Sequence, residues 1–143
     1  MTEVAFHFNA PDAVSYACRL LRKAVFSGAK VVVVASEQTL SELDAALWTF
    51  SPIDFVAHAD VRSDPSVLAE SPVILATHVD QTSQRQILLN LAATVPQGFE
   101  LFDRVIDVVT LDEESRYFAR DRWKYYVELG YSITRHDLVL KPN

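Results

Sequence analysis

The sequence predicts an α/β fold: a mostly parallel sheet flanked by helices, forming one domain over residues 1–143. Three observations predict it. Strand-like and helix-like segments alternate from Val4 through Trp48, the rhythm of parallel strands joined by helical crossovers. Lys30-Val-Val-Val-Val-Ala35 is an unbroken β-branched run, the composition of a strand covered on both faces. Half of the 143 residues are hydrophobic, enough for a full core and too many for a disordered chain.

The elements follow in order. Val4 to Phe8 reads as the first strand. Asn9-Ala-Pro-Asp12 supplies a turn, with Asp12 as helix cap. Ala13 to Phe26 is a helix, because Val14, Ala17, Cys18, Leu21 and Val25 recur at helical spacing, and Gly28 is placed to stop it. After the valine run, Ser36 caps a second helix to about Trp48, with Leu40, Leu43, Leu47 and Trp48 as its stripe. Pro52 breaks the chain, Phe55–His58 reads as a short strand, and residues 60–72 read as a loop rich in Asp, Ser and Pro. Pro72–Thr77, Ile87–Leu91 and Val105–Val109 read as strands, and Asp80–Arg85 as polar surface. Thr110-Leu-Asp-Glu113 matches a capping box that opens a last helix. Gly130 ends that helix, and Tyr131 to Leu140 returns as an edge strand.

Composition excludes several function classes. A formal net charge of -6 repels free nucleic acid, and a local basic patch on such a molecule fits a discrete acidic partner better. Cys18 is the one cysteine, so no internal disulfide forms and a cytoplasmic setting is expected. No apolar run approaches the roughly 20 residues of a membrane span, and Met-Thr-Glu-Val has no signal pattern. A Rossmann-like sheet invites a nucleotide, yet Gly28, Gly98 and Gly130 are the three glycines and none forms a strand-to-helix phosphate loop. His7, His58, His78 and His136 have no metal-ligand spacing to one another or to Cys18. No Gly-x-Ser-x-Gly elbow occurs, and Cys18 falls on the apolar face of its helix as inert core. No catalytic residue, metal or cofactor is therefore expected. Asp44 and Asp107 read as half-buried carboxylates, most simply as ion-pair partners, one of them for Arg122.

The chemistry concentrates in Ala119-Arg-Asp-Arg-Trp-Lys-Tyr-Tyr-Val-Glu-Leu-Gly-Tyr131. Arg120 and Lys124 are four apart and share a helical face with Trp123 beside them. Arg116 and Val127 extend that stripe by one turn each way. Basic stripes are more often plain solvated faces. Projecting the helix separates the cases: Phe118, Tyr125, Tyr126 and Leu129 gather on one arc with Ala119 at its edge, predicting the core face. Trp123 and Val127 fall outside that arc among the charges, and Arg122 falls inside it, where it must snorkel or pair with a buried carboxylate. Two cations around an indole make a cup for a carboxylate joined to an apolar side chain. A second patch, Leu43 to Trp48 continuing through Phe50, Pro52, Ile53 and Phe55, sets aromatics in irregular backbone, as a protein interface would.

Several short motifs then occur together in order. They are Leu43-Asp-Ala-Ala-Leu-Trp48, Phe55-Val-Ala-His58, Gln86-Ile-Leu-Leu-Asn-Leu91, Phe102-Asp-Arg-Val-Ile-Asp107, Ala119-Arg-Asp-Arg-Trp-Lys124 and Gly130-Tyr131. In this order and spacing, from about Phe6 to Leu138, the chain resembles the chi subunit of bacterial DNA polymerase III holoenzyme. The resemblance implies a non-catalytic subunit of the clamp-loader assembly that binds no nucleotide. It implies binding to the acidic C-terminal tail of single-stranded DNA-binding protein, which ends in Phe, and on a separate surface to the psi subunit, with DNA touched only indirectly. Carried over by motif, Arg120, Trp123 and Lys124 are the tail cup, with Val109 beside it, and Trp48 and Phe55 face psi. Ala57 stands where the family often has Pro before the His, and Thr110 where some members have Pro after the strand. Two other readings remain: a nucleotide- or phosphate-handling enzyme on a degenerate Rossmann-like fold, with His7 or Asp107 as base, and a direct single-stranded DNA binder using the aromatic and basic helix.

Overall fold

A computed structural model describes residues 2–49, 58–60, 63 and 71–139. Seven parallel strands form one sheet in the order β3-β4-β2-β5-β6-β1-β7. They are β1 (Glu3–Ala10), β2 (Val31–Val34), β3 (His58–Asp60), β4 (Val73–Ala76), β5 (Ile87–Asn90), β6 (Arg104–Thr110) and β7 (Ile133–Asp137). The described helices are α1 (Ala13–Phe26), α2 (Glu37–Thr49) and α3 (Glu113–Glu128).

Strand alternation divides the core between two faces. Val31, Val33, Leu75, Leu89, Ile106 and Val108 pack with Ala17, Cys18 and Leu21 of α1 and Leu43 and Leu47 of α2. Val32, Val34, Leu88, Val105 and Val109 face the other way, toward Ala119 and Tyr126 of α3. Every residue of β2 is buried, as a strand sandwiched between helical layers requires. α1 begins at the expected cap: the Asp12 carboxylate accepts from the Ser15 amide at 3.3 Å. Gly28 and Gly130 sit just beyond α1 and α3 with φ of +86° and +90°, conformations that favour glycine as a helix stop.

Two expectations need correction. α3 is capped by Asp112, whose carboxylate accepts from the Ser115 amide at 3.0 Å, and not by Thr110. Thr110 is still paired with Ala10 in the sheet, so the chain cannot turn into a helix there. The buried face of α3 is also rotated from the predicted arc. Ala119, Arg122 and Tyr126 are buried, while Phe118, Tyr125 and Leu129 are exposed. The buried face carries an ion pair: Arg122 reaches down to Asp107 on β6, the buried carboxylate that its place inside the arc called for. The predicted strand at Phe55–His58 and loop at residues 60–72 fall largely outside the described residues, apart from β3, Ser63, Ser71 and Pro72.

Candidate functional site: a basic cleft at the sheet switch point

β1 and β6 are neighbouring parallel strands whose following helices leave on opposite faces, α1 on one and α3 on the other. Such a divergence opens a crevice beyond the carboxyl ends of the two strands. A cleft of about 610 Å³ lies at this point, beside α3. Phe6 and Phe8 of β1 and Val109 of β6 form its floor, because alternate residues of those strands point to the α3 face. Ala119 and Trp123 of α3 form its inner wall. The indole is half-buried and stands edge-on to the Phe6 ring, with centroids 5.2 Å apart. Arg116, Arg120 and Lys124 follow at four-residue intervals along the same wall, and Arg135 of β7 stands on the other lip. Among the described residues, no acidic side chain lines the cleft and no ion pair reaches these four cations.

The walls are held by two polar networks. Behind α3, the Arg122 guanidinium donates to both Asp107 oxygens at 2.7 to 3.0 Å and to the Ala93 carbonyl at 2.8 Å. Asn90 donates to Asp107 at 3.3 Å. Both charged partners are buried. Burial raises the Asp107 carboxyl above its ordinary range, opposed by the Arg122 charge and by the hydrogen bonds of Arg122 and Asn90. In front, Asn9, one residue before the end of β1, takes a left-handed conformation, φ 67°. Its amide donates to Asp137 at 2.8 Å and its carbonyl accepts from Arg116 at 2.9 Å, so the ends of β1 and β7 fix the first cation of the cleft. The Asp112 carboxyl is held below the usual range, chiefly by the Thr110 hydroxyl and then by the Ser115 amide.

The structure brings Arg116, Arg120, Trp123, Lys124 and Val109 into one cleft; Val127 lies half-exposed on α3 outside its wall. Phe6, Phe8, Asn9 and Arg135 were not singled out from the sequence. The alternation of Val4, Phe6 and Phe8 was the available signal for two of them, but nothing in a single sequence shows that β1 lies between β6 and β7. Trp48 is exposed at the end of α2, with its ring near His58, and Phe55 lies outside the described residues. His58 pairs with Asp44 at 2.8 Å, so Asp44 serves the His and Asp107 serves Arg122. Cys18 is buried, and burial raises its thiol pKa, keeping it a thiol. Among the described residues, no group of three or more His, Cys, Asp or Glu side chains could hold a metal, and no helix is long and apolar enough to cross a membrane.

Comparison with known proteins gives consistent matches. The family model described as DNA polymerase III chi subunit, HolC, matches residues 1–134. A Pseudomonas aeruginosa protein named DNA polymerase III subunit chi is 35% identical over 143 residues, covering 96% of this chain and 98% of the relative. Proteins of the same name from Haemophilus influenzae and Escherichia coli are 28% and 26% identical over 124 and 118 residues, covering 85% and 81% of this chain and 85% and 79% of their own. Among solved structures, an S. cerevisiae Dbp5 variant bound to Nup159, Gle1, IP6 and ADP superposes with a TM-score of 0.61 at 12% identity. That match covers 95% of this chain but 42% of the other, and it speaks for the fold alone.

Proposed function

This chain belongs to the chi-subunit family of DNA polymerase III, and from that premise we propose that its cleft binds the acidic C-terminal tail of single-stranded DNA-binding protein. The family places it as an accessory subunit of the replicase. In our reading the whole chain acts as one non-catalytic, cytoplasmic domain that ties the polymerase to the coated lagging-strand template. Arg116, Arg120 and Lys124 hold the tail's carboxylates, and the Phe6, Val109 and Trp123 surface receives its apolar end. The observation that carries this reading is the coincidence of the two chemistries: an apolar floor ringed by four cations, with no acid among the described lining residues. A C-terminal peptide with a carboxylate next to an apolar ring needs both. The contact is small, so its affinity is modest and falls with salt.

In this reading Trp48, exposed at the end of α2, binds the psi subunit, and Phe55, outside the described residues, joins it on the motif alone. The competing enzyme reading would seat phosphate at the N-terminus of α1. That position is filled by the Asp12 carboxylate, which repels a second anion. Titration calorimetry with single-stranded DNA-binding protein, intact and lacking its last residues, tests the proposal. Binding only to the intact protein is expected. Arg120→Ala should weaken it roughly tenfold or more, the loss of a charge-assisted hydrogen bond. Unchanged affinity of that variant removes Arg120 from the site. A robust thermal shift with ATP would revive the enzyme, and tight binding of protein-free oligonucleotide at moderate salt would revive the direct DNA binder.

A further inference from the structure

Arg135 stands apart from the other cations of the cleft. It lies on the edge strand β7, paired in register with Phe6, on the opposite side of β1 from β6. Its guanidinium carbon sits 5.9 Å from the centroid of the Phe8 ring, so the aromatic face orients a group that is otherwise exposed. Asp137, the nearest acid along the same face of β7, is engaged by Asn9 and by the Val139 amide. No described ion pair neutralises Arg135. Arg116, Arg120 and Lys124 thus line one wall, Arg135 tops the other, and the phenyl rings of β1 lie between them.

We propose that Arg135 is a specificity-determining residue of the cleft, holding a second anionic group of the ligand across the apolar floor from α3. This deepens the tail-binding reading and rests on it. A ligand gripped on both walls must carry one carboxylate for α3 and another, one floor-width away, for β7. A lone C-terminal carboxylate on an apolar side chain fills only half the site. In an acidic tail the terminal carboxylate goes to the α3 wall, and an upstream acidic side chain reaches Arg135. The planar guanidinium beside the Phe8 ring favours a fixed, directional contact over a diffuse one.

The test is a set of titrations with the C-terminal peptide of single-stranded DNA-binding protein. The peptide is used intact, with its terminus amidated, and with each upstream acidic residue changed singly to its amide. Each is titrated into wild type, Arg135→Gln, Arg135→Lys and Arg120→Gln. Arg135→Gln should weaken the intact peptide about two- to fivefold, the worth of an exposed charge pair. That loss should disappear against one particular upstream amide peptide and persist against the amidated terminus. Arg120→Gln should show the reverse pattern, and Arg135→Lys should recover part of the loss. Equal affinity of wild type and Arg135→Gln overturns the proposal, as does an equal loss against every peptide, which would mark a general field. Failure of the wild-type protein to bind the intact peptide instead removes the tail reading on which the proposal rests.

Discussion

Replacing Asp107 with Ala is expected to be among the most damaging single changes in this chain. Asp107 is completely buried, Arg122 is 4% exposed, and three hydrogen bonds join them. Removing the carboxylate strands a guanidinium in the α3 interface with only the Ala93 carbonyl as a described partner. Breaking a buried pair in this way costs about 3–5 kcal/mol. At about 2.1 cal/mol/K per residue, a chain of 143 residues unfolds with an entropy of about 0.3 kcal/mol/K, so Tm should fall by about 10–17 °C. Scanning calorimetry reads the shift. The double replacement Asp107→Leu with Arg122→Met should recover most of the loss, because apolar residues of similar size remove the stranded charge as well as the pair. Tail binding should fall along with stability in Asp107→Ala and return in the double variant, since α3 carries three of the four cations of the cleft. A single-variant loss below about 1 kcal/mol would refute the reasoning, because it would mean that water already solvates Arg122.

Three other outcomes follow from the same geometry. The Tyr126 hydroxyl is buried with no hydrogen-bond partner among the described residues, so Tyr126→Phe should leave stability unchanged or raise it by up to about 1 kcal/mol in a denaturant titration. Asp112 has a folded-state pKa below its unfolded one, so its contribution to the start of α3 is complete above the unfolded value near 4 and is lost as pH falls through the folded value. The protection of the Ser115 amide, its exchange rate set against the intrinsic rate at the same pH, should therefore fall on acidification in wild type and stay constant over that window in Asp112→Asn. Asn9→Ala should lose the tether on Arg116 and strain a left-handed residue, lowering stability by about 1–3 kcal/mol and weakening tail binding. Asn9→Gly relieves the strain without restoring the tether, so it should rescue Tm in a melting experiment while binding stays weak.

The parts of this molecule that were legible in the sequence are those that local chemistry determines. Four consecutive valines have one economical home, between two helical layers, and β2 is there. α1 runs from Ala13 to Phe26 as its cap, stripe and stop dictate. The basic wall of the cleft was legible for the same reason, because positions 116, 120 and 124 of one helix must be neighbours. The core face of α3 was not. An apolar count selects Phe118, Tyr125 and Leu129, but the face that meets the sheet carries Ala119, Arg122 and Tyr126, with Arg122 paired to Asp107 fifteen residues away in the chain. Trp123 consequently joins the core on one edge while still facing the cleft. The far lip was illegible for a different reason: β7 reaches the cleft only because α3 carries the chain across β1, and that is a fact of strand order.

On the proposed reading, this crevice takes an anion without a phosphate loop. Nucleotide-binding relatives of such sheets use the positive end of a helix, where free amides and the helix dipole meet one compact phosphate. Here the helices that diverge from the switch point have both spent that end on their own carboxylates, Asp12 on α1 and Asp112 on α3. What remains for an anion is the flank of α3, with a cation at each turn over about 12 Å from Arg116 to Lys124, and the solitary Arg135 opposite. A compact anion can satisfy only one step of that ladder. An extended chain with acidic groups in succession satisfies several at once. Its attraction must also overcome a molecule of net charge -6, so it depends on close contact and not on long-range steering. Raising the salt concentration should therefore speed dissociation of a bound tail more than it slows association, and stopped-flow measurements that found the opposite would count against recognition along the helix flank.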